Sequence, residues 1–505
     1  MTSSASRLTA FRNIAANAGG AAAAMLATLV AVPIYLRLLG AEAYGLVGLF
    51  TTITLAATAL DLGLGTTLNR EIARMRVRGE PAALADLVRT LETGIWVLGL
   101  LGGAALAVTA PLIAGRWLTF SELAPATVGD ALRAMAAAVP ALTARTFYLG
   151  GLNGLERQGR ANLLVAGGAV MRAAGTIAAL VSVGTTVPTF FVTQAVLLWL
   201  EVAVFRHTFR SALPPDARGG RVRPVAVRPT LGFTAGVAGT MLLAFGLTSV
   251  DQVILSAILP LTEFGYYTLA VAVANTLGQI VQPVTTAVYP RFSRLVEHGD
   301  VRGAAEDYHF FSQLVAILVL PVGVLMVLFS DELLALWTRS PQVAGAAALV
   351  LSLRATGSML NAVMHVPHVL QLAVGWSSLA ARVNAVALAV VVPATLGLGL
   401  AAGGAGAAVV WVALNLAMLV FAMAWMHTRV LPGELARWYG HLLRPAAAVV
   451  VVLALGRVLM PATAAPAGRI AWLAVLTATA TLAGLAAATL VRRRVVAAAR
   501  LAGAV

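Results

Sequence analysis

Five polar side chains stand in register late in this chain: Arg354, Ser358, Asn361, His365 and His368. Offsets of 0, 4, 7, 11 and 14 put all five on one face of an α-helix. A guanidinium followed by hydroxyl, amide and imidazole groups is suited to lining a polar cavity and holding an anion. A second set, Asn275, Gln279, Gln282 and Thr286, repeats at 0, 4, 7 and 11. Thr51, Thr54, Thr58 and Asp61 share a third face, and Asn13, Asn17 and Thr28 a fourth. Interhelical hydrogen bonding serves the Thr and Asn positions equally well. His365 and His368 have no acidic or thiol neighbour on their helix, which makes a poor metal site, so no metal and no cofactor is expected. The chain has no cysteine, which removes thiol nucleophiles and disulfides.

These residues sit in apolar surroundings, where an uncompensated charge is costly. Glu201 and Arg457 are expected to snorkel to a nearby interface. Of the remaining charges inside apolar runs, Arg133, Arg145, Arg172 and Arg354 face only Asp61 and Asp251. Four arginines against two aspartates favour an anionic substrate. Asp61 is expected to neutralise Arg145 or Arg172.

The elements that must position these groups are membrane-spanning helices. Of the 505 residues 60% are hydrophobic and 11% charged, with mean hydropathy +0.89. A soluble chain is nearer half apolar and a quarter charged. Apolar runs of about 20 residues, the length that crosses a ~30 Å hydrocarbon core, recur from end to end. They give an all-α polytopic membrane protein of about 14 transmembrane helices. Pro140 and Pro367 are expected to kink the fourth and tenth. The net charge of +15 is carried by arginine without lysine, in the short connections between runs. That is the positive-inside pattern and not a nucleic-acid groove. It places both termini in the cytoplasm. The run at Asn17–Leu36 is too long for a signal-peptide core and is read as an uncleaved first helix.

The chain also resembles itself at a shift of about 220 residues, a spacing that defines two parallel six-helix repeats. Glu42-Ala43-Tyr44-Gly45 matches Glu263-Phe264-Gly265-Tyr266, and Arg133 matches Arg354. The expected organisation is an N-lobe of six helices over residues 1–229 and a C-lobe of six over 230–430. Two extra C-terminal helices and a cytoplasmic tail fill 431–505. A site between two such repeats is the usual arrangement in transporters.

Several of these segments resemble a known family. Leu38-Leu39-Gly40-Ala41-Glu42-Ala43-Tyr44-Gly45-Leu46, Asp61-Leu62-Gly63-Leu64-Gly65 and Gly154-Leu155-Glu156-Arg157 are similar to turns of the O-antigen and polysaccharide flippases. So are Asp251-Gln252-Val253-Ile254-Leu255, Pro290-Arg291-Phe292-Ser293 and Gly403-Gly404-Ala405-Gly406-Ala407-Ala408. These proteins belong to the multidrug/oligosaccharidyl-lipid/polysaccharide exporter superfamily. The resemblance implies a V-shaped bundle in the bacterial inner membrane, working by alternating access. It would flip an undecaprenyl-diphosphate-linked oligosaccharide to the periplasmic leaflet, beside glycosyltransferases and a polymerase. Arg145, Arg172 and Arg354 are the candidates for the diphosphate, chosen by position and charge. Arg133, Asp61, Asn275, Gln279, Asn361 and His365 complete the candidate cavity lining. The last two helices, against membrane lipids, would hold the polyprenyl tail. The alternative on the same fold is a multidrug or cation antiporter, which would want acidic residues in its cavity. An enzyme acting on such glycans would want a large periplasmic loop, and none is expected here.

Overall fold

The computed structural model describes residues 3–461 and 465–494, with side chains from residue 19 onward save at 21 and 377–381. The side chains of Arg7, Arg12, Asn13 and Asn17, and the whole of Arg500, lie outside that description. Among the described residues the regular structure is helical, and a lone bridge joins Thr119 to Pro260. The chain divides into two compact units, Met1–Gly265 and Tyr266–Val505.

In the first unit the helices are α1 (Ser3–Leu39), α2 (Ala41–Ala59), α3 (Leu64–Arg78), α4 (Pro81–Leu112), α5 (Pro125–Gly154), α6 (Gln158–Ser182), α7 (Val187–Ala212) and α8 (Leu231–Ile258). Helix α9 (Leu261–Ala274) begins in this unit and ends in the second. There it is followed by α10 (Thr276–Glu297), α11 (Val301–Leu328), α12 (Ser330–Thr338), α13 (Pro341–Val363) and α14 (His365–Ala373). The last four are α15 (Ser377–Ala417), α16 (Met423–Val430), α17 (Leu435–Val458) and α18 (Pro466–Ala487).

Among the described residues eleven segments are long and apolar enough to cross a bilayer. Three further crossings bring the count to the expected 14. The segment Arg382–Val430 runs 49 residues, enough for two crossings, and its backbone leaves helical geometry at Ala402 and Gly403. Helix α5, of 30 residues, and the α9–α10 pair supply the other two. Gly403 has φ 58°, a conformation that glycine adopts without penalty. The break therefore falls where the glycine-rich segment 403–408 suggested a turn.

Lipid tails are as apolar as leucine, so helices in a bilayer associate through close packing rather than through exclusion of water. Unit 1 shows how. A Cβ on Gly150 of α5 would lie 2.2 Å from the Gly65 carbonyl oxygen of α3. One on Gly103 of α4 would lie 2.7 Å from that of Ala136. Around these contacts Leu87, Leu91 and Ile95 of α4 pack with Phe147, Tyr148 and Leu152 of α5 and with Phe205 and Phe209 of α7. Helix α8 lies on α2 and α3: the Thr52 hydroxyl donates to Gln252 Oε1 at 3.1 Å, and the Arg70 guanidinium stands 4.3 Å from the Phe233 ring. Compactness consequently divides the chain within α9, later than the sequence repeat.

The Glu42-Ala43-Tyr44-Gly45 segment has a specific task. Glu42 is buried, and its carboxylate accepts the backbone N–H groups of Ser121, Glu122 and Leu123 at 2.5 to 2.8 Å. It thereby ties the start of α2 to the connection before α5. In unit 2, α17 and α18 pack on each other and on α11.

Candidate functional site

Helices α5, α6 and α7 meet at one carboxylate. Glu201 of α7 is 3% exposed, and Arg145 Nε of α5 donates to its Oε1 at 2.6 Å. Arg172 of α6 pairs with Oε2. The close approach depends on Gly168, where a Cβ would stand 2.4 Å from the same carboxylate. Snorkelling is therefore the wrong account of Glu201. It lies 11 residues from the end of α7, roughly 16 Å at ~1.5 Å per residue, too far for its side chain to reach water. That distance was a readable signal. Two guanidinium groups on one carboxylate leave a surplus positive charge, and both arginines keep about a fifth of their side chains exposed (19% and 22%). The arrangement can take a further anion without losing its internal pair.

The polar face of α13 and α14 is built in unit 2. Arg354 is 1% exposed, with its guanidinium 4.7 Å from the Trp411 ring and 5.9 Å from that of Tyr267. Below it, Trp411 Nε1 donates to Ser358 Oγ at 3.3 Å, and Asn361 Nδ2 donates to Asn415 Oδ1 at 2.8 Å. The helix is interrupted at Met364, three residues before Pro367, and resumes as α14. Helix α5, by contrast, runs through Pro140. Beyond the interruption a cavity of about 230 Å³ is lined by Asn361, His365, His368, Gln371 and Asn384. The upper part of the face is thus packed against α15 and the lower part opens on space.

Asn275 stands at the junction of α9 and α10 without a side-chain capping hydrogen bond, and Asn275, Gln279, Gln282 and Thr286 are all exposed along one face of α10. Exposed amides inside a crossing point to a water-filled space, because hydrocarbon offers them no partner. The α2–α3 and α9–α10 crossings are both discontinuous, a construction that transporters use where polar groups must be presented.

Two expected members stand apart. Among the described residues Asp61 pairs with no arginine: both of its oxygens accept the Gly65 N–H, at 3.2 and 3.1 Å, closing the turn into α3. The local Asp61-Leu62-Gly63-Leu64-Gly65 turn satisfies that carboxylate more cheaply than a partner from another helix. Arg133 is 59% exposed and pairs with Asp130, one turn away on α5, at 2.8 Å. Arg457, expected to snorkel, is partly exposed at the end of α17 and pairs with Asp331 and Glu332.

A family model described as polysaccharide biosynthesis protein matches residues 10–296, and one described as MatE matches residues 237–396. No curated protein matches the chain. Among solved structures, the lipid II flippase MurJ in an inward closed conformation is similar at a TM-score of 0.74. The two share 12% identity over 96% of this chain and 100% of that one. An inward-facing multidrug resistance MATE family transporter of the MOP superfamily is similar at 0.69, with 14% identity over 82% of this chain and 96% of that one. A MOP superfamily transporter from Pyrococcus furiosus, titled for the reverse polarity of its binding pocket, is similar at 0.52. It shares 18% identity over 84% and 96% of the two chains. The fold is that of this superfamily.

Proposed function

Because the chain belongs to the polysaccharide biosynthesis protein family, we propose that it flips an undecaprenyl-diphosphate-linked oligosaccharide from the cytoplasmic to the periplasmic leaflet. The observation that carries this reading is the surplus guanidinium at Glu201, an anion site inside a helical bundle. A guanidinium offers phosphate oxygens a flat pair of donors. In this reading Arg145 and Arg172 hold the diphosphate within unit 1, and Arg354 is the cationic member of the polar face in unit 2. Asn275, Gln279, Asn361 and His365 supply hydrogen bonds to sugar hydroxyls. Arg133 and Asp61, occupied elsewhere, take no part. The protein works by alternating access in a bacterial inner membrane with both termini in the cytoplasm, supplying surface polysaccharide synthesis alongside its polymerase and glycosyltransferases.

The competing reading is a multidrug or cation antiporter, which the MATE-like fold permits. A cation site needs an available carboxylate. Here the buried Glu71, Glu92, Glu201 and Asp307 each have arginine partners, and Asp61 and Glu42 are engaged by backbone N–H groups. Complementation separates the two readings. In a strain lacking its own flippase the chain restores surface polysaccharide, and Arg172→Gln, which leaves Arg145 to neutralise Glu201, abolishes it at an unchanged membrane level. Restored resistance to a cationic dye, without restored polysaccharide, would overturn the proposal.

A further inference from the structure

We propose that unit 1 carries a groove for an anionic membrane phospholipid, formed by α4, α5 and α7 and distinct from the Glu201 site. The groove has two parts that meet at Trp199. Near the end of α7, about 440 Å³ of space is lined by Trp96, Trp199, Val202, Arg206, His207 and Arg210. Beyond Trp199 a trough of about 500 Å³ continues, lined by Ala134, Ala137, Val192, Val196 and Leu200. The first part is cationic and aromatic, and the second is wholly apolar.

Charge selects the headgroup. Glu92 of α4 is buried, accepts the Tyr148 hydroxyl at 2.7 Å, and pairs with Arg206 at 3.1 Å, Arg89 at 3.5 Å and Arg210. Three guanidinium groups on one carboxylate leave two positive charges. Arg206 is half exposed, and His207 beside it is exposed. Basic pockets between membrane helices near the water boundary are places where anionic headgroups bind. A zwitterionic phospholipid would bring its own ammonium into the same positive field.

Shape and depth select a lipid over a soluble anion. The Trp96 and Trp199 rings stack 5.6 Å apart at 17°. Their N–H groups are already spent, on the Tyr148 hydroxyl at 3.1 Å and the Ala137 carbonyl at 2.9 Å. What the indoles offer the groove is apolar surface, as Trp does at membrane boundaries. Trp199 lies 11 residues before Arg210, roughly 16 Å along α7, about half of the ~30 Å hydrocarbon core. A phosphate held at Arg206 and Arg210 thus lays its first methylenes on the indoles and one acyl chain in the trough.

The test titrates the full chain in detergent with phosphatidylglycerol or chain-matched phosphatidylcholine and counts bound lipid by native mass spectrometry. Phosphatidylglycerol should be retained in preference. Arg206→Gln leaves Arg89 and Arg210 on Glu92, so the protein still folds, and should bind it about fivefold more weakly. Val196→Trp fills the trough at an exposed position with every charge intact and should weaken binding as well. Equal retention of the two lipids, or unchanged binding in both variants, would overturn the proposal. Displacement of phosphatidylglycerol by undecaprenyl phosphate with the same dependence on the variants would also overturn it, by giving the groove to the transported lipid.

Discussion

Removing Glu201 and removing one of its arginines are opposite experiments. Glu201→Gln leaves two buried guanidinium groups facing each other without a counter-charge, which costs about 3–5 kcal/mol when such a pair is broken. The expected result is a large fall in Tm and in membrane level. Arg145→Gln, like Arg172→Gln, leaves a matched pair and should keep Tm while losing export. If the single arginine variants unfold as Glu201→Gln does, the surplus charge belongs to stability and not to substrate. Arg354 offers a second comparison, since its guanidinium lies over Trp411 and Tyr267. Arg354→Ala should abolish export at normal membrane level, and Arg354→Lys should restore it in part, keeping the charge without the flat fork. Full export in Arg354→Ala would remove it from the site. Arg145, Arg172 and Arg354 stood out in the sequence because arginine inside an apolar run is expensive. Their partners did not: Glu201 is 56 residues from Arg145, and only the meeting of α5, α6 and α7 brings them together.

At the scale of helices, small residues decide which surfaces touch. Gly150 of α5 meets the backbone of Gly65 on α3, whereas Gly167 of α6 has open space where a Cβ would go. Gly150→Val should push the two helices apart, at the ~1–3 kcal/mol typical of overpacking. Gly167→Ala should be neutral or slightly stabilising in a helix. Thermal melts of the two variants in detergent check this, and equal Tm values would mean that the α3–α5 crossing has slack. The crossings were legible because a bilayer demands apolar length. Their interruptions were partly legible: Gly403 announced one, but the Asn275 break carries neither glycine nor proline. The polar faces of α10 and α13 were read from spacing alone. Periodicity says which side chains share a face and says nothing about what the face meets. The Ser358 and Asn361 contacts to α15 therefore had to be seen.

At the scale of the molecule, the arginine-rich connection at 207–228 and the segment after α18 are separated by an even number of crossings, so both belong on one side of the membrane. Reporter fusions at the two places should both report cytoplasm, and opposite signals would break the count of 14. Length, composition and hydropathy made the crossings themselves legible, because every crossing must satisfy its own backbone. They are silent on which crossings are tied to which. One such tie, the Glu42 carboxylate on the 121–123 backbone, has a consequence in time. Ser121 is made 79 residues after Glu42, a wait of roughly 4–16 s at ~5–20 residues per second. Once α2 is complete at Ala59, the Glu42 carboxylate has no anchor until the 121–123 backbone follows it. A nascent chain arrested before Ser121 should leave Gly40–Glu42 open to protease, and one arrested after α5 has emerged should close it.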